Sequence, residues 1–370
     1  MKSKNHKPAI ILALTLGLIL IVIAGCKKNN DQTQAEIASE VKTTDSTDLD
    51  LDSKEVTDSD SLDNDNKETY PYDKSKWTKT TLTLSEEMAW VSYCYYANGK
   101  YVAILPESDK AAYSTDGTNW KTTTMPSKER WKSICYGNGK FVAVGRFSDI
   151  AAYSTDGINW KAAAMPSDDN RWNSVCYGNG KFVAVAGNKA AESNKAAYST
   201  DGINWKSATM PGAANWNSVC YGNGKFVAVS RFSEIAIAYS TDGINWKAAT
   251  TLGVADWTMV CYGNGKFVVK ANYSGIAAYS TNGIEWETTD VTSNMWLNSI
   301  CYGNGKFVAV YERSSFNDNN ETYNYVVYSI DGIKWTIKRM PFNAGFIDYR
   351  NGKFVALSHG GTIYMTDNIE

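Results

Sequence analysis

Three arginines lead the residues of this 370-residue chain that have the chemistry to hold a ligand. Arg146, Arg231 and Arg313 stand in segments that differ from one another while the stretches flanking them are nearly identical. A guanidinium is a planar fork of donors that grips a carboxylate with two hydrogen bonds. Three of them on one face point to an acidic sugar or an acidic peptide. Trp131, Trp172, Trp216 and Trp257 recur close by. Indoles at such positions either stack on a flat ligand, lining a funnel, or pack between structural units as large aromatics commonly do. The same segments carry Glu107, Asp149, Glu234 and Glu312. Acid–base catalysis on a glycosidic bond needs two carboxylates at a fixed separation, but ordinary surface loops also contain such residues, and no catalytic residue is assigned. His6 and His359 are the only histidines, so triad or imidazole–metal chemistry lacks parts. No metal or cofactor is assigned.

The elements that position these residues come from a repeat. The phrase Trp-x-Ser-x-Cys-Tyr-Gly-Asn-Gly-Lys-Phe-Val-Ala-Val is followed, after a variable gap, by Ala-Tyr-Ser-Thr-Asp-Gly-x-x-Trp-Lys. Its Asn-Gly-Lys triplets begin at Asn98, Asn138, Asn179, Asn223, Asn264, Asn304 and Asn351, at intervals of 40, 41, 44, 41, 40 and 47 residues. Such a period marks one supersecondary unit that must stack on its neighbours to bury its faces. In the copy from Trp131 to Met165, Asn138-Gly139 is hairpin chemistry. Phe141–Val144 is apolar without alternation, as in a strand buried on both faces. Ala151–Ser154 is a third strand, Asp156-Gly157 a second turn, and Trp160-Lys161 opens a fourth strand. Four meandering strands per repeat make one blade of a β-propeller, and no helical stripe is present.

The Ser-Thr-Asp-Gly-x-x-Trp phrase resembles the Asp box of BNR-repeat propellers, the group that includes sialidases and sortilin-type domains. It places Asp116, Asp156, Asp201, Asp242 and Asp331, with Asn282 in the remaining copy, and has one residue fewer between Asp and Gly than the usual box. These aspartates are assigned to structure, since a short carboxylate in a turn accepts hydrogen bonds from neighbouring backbone N–H groups. The last copy ends at Thr366-Asp367 without a fourth strand, while Trp77–Leu84, after Tyr70–Lys76, looks like an orphan fourth strand. The expected fold is all-β, a seven-bladed propeller closed by pairing Trp77–Leu84 with the last blade, which removes open sheet edges.

Cys94, Cys135, Cys176, Cys220, Cys261 and Cys301 are expected at one position of the first strand, with Asp348 in the seventh copy. One thiol per blade leaves neighbours too far apart for a disulfide, so they read as free, buried small hydrophobes. The Asn-Gly and Asp-box turns should share one face. The segments between second and third strands, Leu105–Lys110, Gly145–Ile150, Ala186–Lys195, Ser230–Ala236, Lys270–Gly275, Tyr311–Asn324 and Ser358–Gly361, should form a variable opposite face. A rigid scaffold carrying variable loops is the usual setting of a binding site.

The chain begins with Lys2, Lys4 and Lys7, an apolar run Ala9–Ile23, and Ile23-Ala24-Gly25-Cys26. This resembles a bacterial lipobox, which implies a signal peptide over 1–25 and lipidation of Cys26 on the extracytoplasmic face. The run is short for a membrane-crossing helix. Residues 27–69 hold 13 Asp or Glu against 5 Lys and no aromatics. The expected reading of 26–69 is the lipidated cysteine and a disordered acidic tether, spanning about 35–40 Å as a flexible chain. Residues 70–370 form the propeller. They carry a near-neutral net charge, which gives no footprint for nucleic acid, and the chain is read as a monomer. Three functions stay open: recognition of an extracellular glycan, peptide or protein, a glycoside hydrolase of sialidase type, and a structural scaffold. The Arg-Ile-Pro motif of sialidases is absent.

Overall fold

The Asn-Gly pairs adopt the geometry that a two-residue hairpin requires. In the computed structural model the seven asparagines have φ between 44° and 52°, and the glycines that follow have φ between 71° and 78°. Two successive positive values define the type I′ turn, whose twist matches that of paired strands. The structure describes residues 70–81, 93–166, 171–187, 193–250, 252–272, 276–291, 296–314, 322–358 and 361–370, all within the compact unit Thr43–Glu370. The expected signal segment, Cys26, the acidic stretch, Leu84, Trp90 and His359 lie outside them, as do the side chains of residues 296–298, 312–314 and 322–323.

Among the described residues every regular element is a β-strand in an antiparallel meander. In the second repeat, Lys121–Gly137 pairs with Lys140–Arg146, that strand with Ile150–Ser154, and that one with Lys161–Ala164. Two details differ from expectation. Lys121–Gly137 and Lys206–Gly222 are continuous 17-residue strands, so the outer strand of one repeat runs directly into the first strand of the next. The long segment Tyr311–Asn324 is paired at both of its ends, since Lys306–Ser314 and Thr322–Ser329 stay in register out to Ser314 and Thr322.

The core lies between repeats. In Phe226-Val227-Ala228-Val229, Phe226 and Ala228 pack toward the third repeat with Val183 and Val185. Val227 and Val229 pack toward the fifth with Phe267 and Val269. Each residue in such a run is buried on one side or the other, which explains the absence of polar alternation. The same relation joins the two ends of the domain: Cys94, Tyr101 and Ala103 share a cluster with Val355, Leu357 and Met365.

The N-terminal strand Thr78–Thr81 pairs with Thr362–Thr366, in a four-stranded sheet completed by Lys353–Leu357 and Phe346–Arg350. Before it, Asp73 is buried and accepts hydrogen bonds from Ser75 Oγ (2.6 Å) and Trp77 Nε1 (2.8 Å). Pro71 and Asp73 exchange backbone hydrogen bonds with Arg339, on the outer strand of the sixth repeat, and Glu370 N donates to Ser75 Oγ.

Candidate functional site

The two invariant turns lie together and serve each other. Asn138 Nδ2 donates to Thr200 O (3.0 Å), Asn179 to Thr241 O, Asn223 to Thr281 O and Asn304 to Asp367 O. Each of these four asparagines thus clamps the corresponding turn of the following repeat. Inside a box, Asp201 Oδ1 accepts from Ile203 N and Asn204 N, Oδ2 accepts from Asn204 Nδ2, and Ser199 Oγ donates to Oδ1. Partial desolvation pushes this carboxyl up, but those hydrogen bonds outweigh it and hold it well below the usual carboxylate range, as in Asp116, Asp156 and Asp242. At Asp331 the N–H groups of Lys334 and Ile333 lead the same effect. Asn282 keeps the two backbone bonds with its amide oxygen. These contacts assign the box residues to the turn itself.

The tryptophans require a correction. Trp131, Trp172 and Trp216 are fully buried and Trp257 is 1% exposed, so their rings offer no surface on which a ligand can stack. The cause is a β-bulge after each indole, with register shifts between Trp131 and Ser133, Trp216 and Ser218, and Trp257 and Met259. Trp131 and Ile134 share one cluster. Residues three apart in a regular strand face opposite ways, and the extra bulged residue brings them to the same side.

Counting back from the hairpin turn corrects the cysteine row as well. Cys135 pairs with Val142 and Cys301 with Val308, but in the first repeat it is Tyr95 that pairs with Val102, and Cys94 pairs with Ala103. Cys94 is one residue out of step and so lies on the other face of its strand. All six thiols are free, and burial pushes each above its ordinary value. Asp348 does hold the equivalent position, opposite Val355, and pairs with Arg350 at 2.8 Å.

On the variable face a hook recurs. Arg146-Phe147-Ser148-Asp149 and Arg231-Phe232-Ser233-Glu234 both turn at a phenylalanine of positive φ (60° and 52°), and Glu107 does the same (57°) in Pro106-Glu107-Ser108-Asp109. The serine after each is buried and its Oγ accepts the N–H two residues on, from Lys110, Ile150 or Ile235. The hook arginine reaches the next repeat. Arg146 Nε donates to Asn173 Oδ1 (2.6 Å). Arg231 grips Asp256 with both Nε and Nη2.

These two sites differ in charge. Arg231 is matched by the buried carboxylate of Asp256. The Arg146 backbone instead pairs with Arg130 on one side and Arg171 on the other, so three arginines stand side by side on neighbouring strands. Asn173 is neutral, Arg171 lies 5.1 Å over the Phe147 ring, and Glu107 pairs with Arg130 at 2.7 Å. Burial pulls the Arg146 guanidinium below its ordinary value, and Arg130, Arg231 and Arg171 pull the same way against Tyr93. The side chain of Arg313 lies outside the described residues; its backbone pairs with Tyr323. The sequence does carry a signal for Arg130 and Arg171: each immediately precedes a first-strand tryptophan, as Asp256 and Asn215 do.

No family model matches the chain, and no curated protein matches it. Solved structures do. YCF48 bound to D1 peptide aligns with a TM-score of 0.61 at 15% identity, covering 81% of this chain and 97% of that one. Virginiamycin B lyase from Staphylococcus aureus aligns with a TM-score of 0.65 at 12% identity, covering 79% and 99%. The Cps50 (Swd1) β-propeller domain of Myceliophteria thermophila gives 0.57 at 9%, covering 78% and 99%. The fold is a β-propeller. At these identities the likeness concerns the fold alone.

Proposed function

We propose that this chain is a lipid-anchored, extracytoplasmic recognition module that binds an acidic polypeptide segment on its variable face. Cys26 carries the anchor, residues 27–69 form the tether, and seven blades close into a ring through the strand Thr78–Thr81. The pairing of that strand with Thr362–Thr366, and the cluster shared by Cys94, Tyr101, Val355 and Leu357, support ring closure. The observation that carries the binding role is the row Arg130–Arg146–Arg171, three guanidinium groups with one carboxylate, Glu107, in ion-pair contact among the described residues. A carboxylate ligand relieves the repulsion on Arg146 and takes charge-assisted hydrogen bonds. The neighbour named as bound to a D1 peptide supports a polypeptide ligand over a sugar.

The test uses the full chain in detergent and fluorescein-labelled peptides of equal length that are acidic, neutral or basic. The acidic peptide should bind, and Arg146→Ala with Arg171→Ala should weaken it at least about tenfold, the loss of roughly one charge-assisted bond. Equal affinity for the three peptides would refute the binding role. Cys26→Ser should release the protein from the membrane fraction, and retention there would refute the anchor.

A further inference from the structure

Phe147 and Phe232 are 58% and 48% exposed, among few large apolar side chains so open to solvent in the described residues. Both are held there against the local preference of the chain. Their φ values of 60° and 52° fall in the left-handed region, where Asn or Gly is the ordinary occupant and a bulky side chain is strained. The sequence uses Asn and Gly at its other positive-φ turns except the first hook, where polar Glu107 takes the position, so the phenylalanines are not a default. The surrounding frame is tight. Ser148 and Ser233 are buried, Phe232 N donates to Ala255 O (2.9 Å), and Met165 N donates to Asp149 O (2.8 Å). A cation backs each ring, Arg171 at 5.1 Å from the Phe147 centroid and Arg231 at 5.7 Å from that of Phe232. Val254, 63% exposed, precedes the residue that receives the Phe232 N–H. Strain kept at an exposed aromatic, twice, each time with a guanidinium over the ring, is the pattern of a contact made with something outside the chain.

We propose that Phe147 and Phe232 are the two apolar anchors of the peptide site, and that its ligand is an extended segment carrying both acidic and large apolar side chains. This rests on the acidic-polypeptide reading above. Charge complementarity fixes the acidic half, because Arg130, Arg146 and Arg171 lie beside the first hook. The two phenyl rings fix the apolar half. A phenyl ring supplies contact area without the hydrogen-bonding edge that orients a sugar, which favours a peptide over an acidic glycan. In a strand-like ligand successive side chains point to opposite sides, so in an alternating segment one side carries the acidic groups to the arginine row and the other carries the apolar groups to the rings.

The experiment measures fluorescence anisotropy of the full chain in detergent with three eight-residue labelled peptides, alternating Asp/Phe, Asp/Ala and Lys/Phe, and uses sialyllactose as competitor. The Asp/Phe peptide should bind at least tenfold tighter than the Asp/Ala peptide. The double variant Phe147→Gly, Phe232→Gly should remove that difference and yet raise the thermal midpoint, because glycine takes positive φ without strain. A double asparagine variant gives the same readout should the glycines loosen the loops. Equal binding of Asp/Phe and Asp/Ala would overturn the anchors and leave the acidic-polypeptide reading standing. Binding of neither acidic peptide would overturn both. Equal binding of Lys/Phe, stronger competition by sialyllactose than by unlabelled Asp/Phe, or an unchanged preference in the double variants would each overturn the proposal.

Discussion

The guanidinium of Arg350 lies 4.2 Å above the ring of Tyr95, where the last repeat meets the first. In the second to sixth repeats the residue before Asn-Gly is glycine, and the next repeat's tyrosine lies flat against it. A Cβ built on Gly137, Gly178, Gly222 or Gly263 would stand 1.9–2.0 Å from the ring of Tyr177, Tyr221, Tyr262 or Tyr302. Only a missing side chain admits that approach. At the junction of the two ends Arg350 replaces the glycine, and its charge is answered by Asp348 in place of a cysteine.

That substitution predicts a double-mutant result. Arg350→Gly leaves Asp348 nearly buried without its cation and should lower stability by about 2–4 kcal/mol. Asp348→Cys together with Arg350→Gly restores the residues of the other repeats and should recover most of the loss. Urea denaturation of the wild type, Asp348→Cys, Arg350→Gly and the double variant measures it. Additive losses would mean that the pair does not act as a unit.

The turn aspartates predict acid sensitivity of one sign. Their folded values are depressed, so the stability they confer is present above the ordinary carboxylate value near 3.8 and is lost as pH falls through the lower folded value. Asn282 keeps the two backbone bonds without a titrating group. Asp156→Asn with Asp201→Asn should therefore fold, with a shallower loss of thermal midpoint between pH 4 and pH 2. An unchanged acid slope would count against the assignment.

Much of this was legible in the sequence because it depends on local rules. Asn-Gly dictates a type I′ turn, and the unbroken Phe-Val-Ala-Val run dictates burial on both faces. What was misread depends on register. The bulge that turns Trp131 inward is invisible until Trp131 and Ile134 are found in one cluster. Cys94 was aligned by residue type, whereas counting from Asn98 puts Tyr95 in the cysteine position. The arginine row was hidden because Arg130, Arg146 and Arg171 come from two loop types that only strand pairing brings together.

Lys270 breaks the apolar pattern and predicts a stabilising substitution. It sits where other repeats have valine, isoleucine or leucine, is 2% exposed, and its Nζ donates to Ala271 O (3.2 Å) over the ring of Tyr311, with no carboxylate partner among the described residues. Burial pulls it from 10.5 to about 8. Between those values the unfolded chain binds the proton that the folded one lacks, so wild-type stability rises with pH there. Lys270→Met should stabilise the protein by about 1–3 kcal/mol at pH 7. The advantage should shrink from pH 8 to pH 10.5 as the unfolded lysine also becomes neutral. A loss of stability at pH 7 would show that the ammonium has a favourable partner.

Glu107 offers the sharpest test of which charges face the ligand. It pairs with Arg130 at 2.7 Å, with both side chains about half exposed, so the pair adds little to stability. Its carboxylate does lower the positive charge available to an anion. Glu107→Gln should tighten binding of the acidic peptide about three- to tenfold and leave the thermal midpoint nearly unchanged. Because steering between exposed charges is screened by salt, the gain should be larger at 50 mM than at 300 mM NaCl. Asp256→Asn makes the contrast. It removes the carboxylate that Arg231 grips, and should cost stability because that carboxylate is buried against the next repeat. If Glu107→Gln left affinity unchanged at low salt while Asp256→Asn raised it, the anion site would centre on Arg231 and not on the row Arg130–Arg146–Arg171.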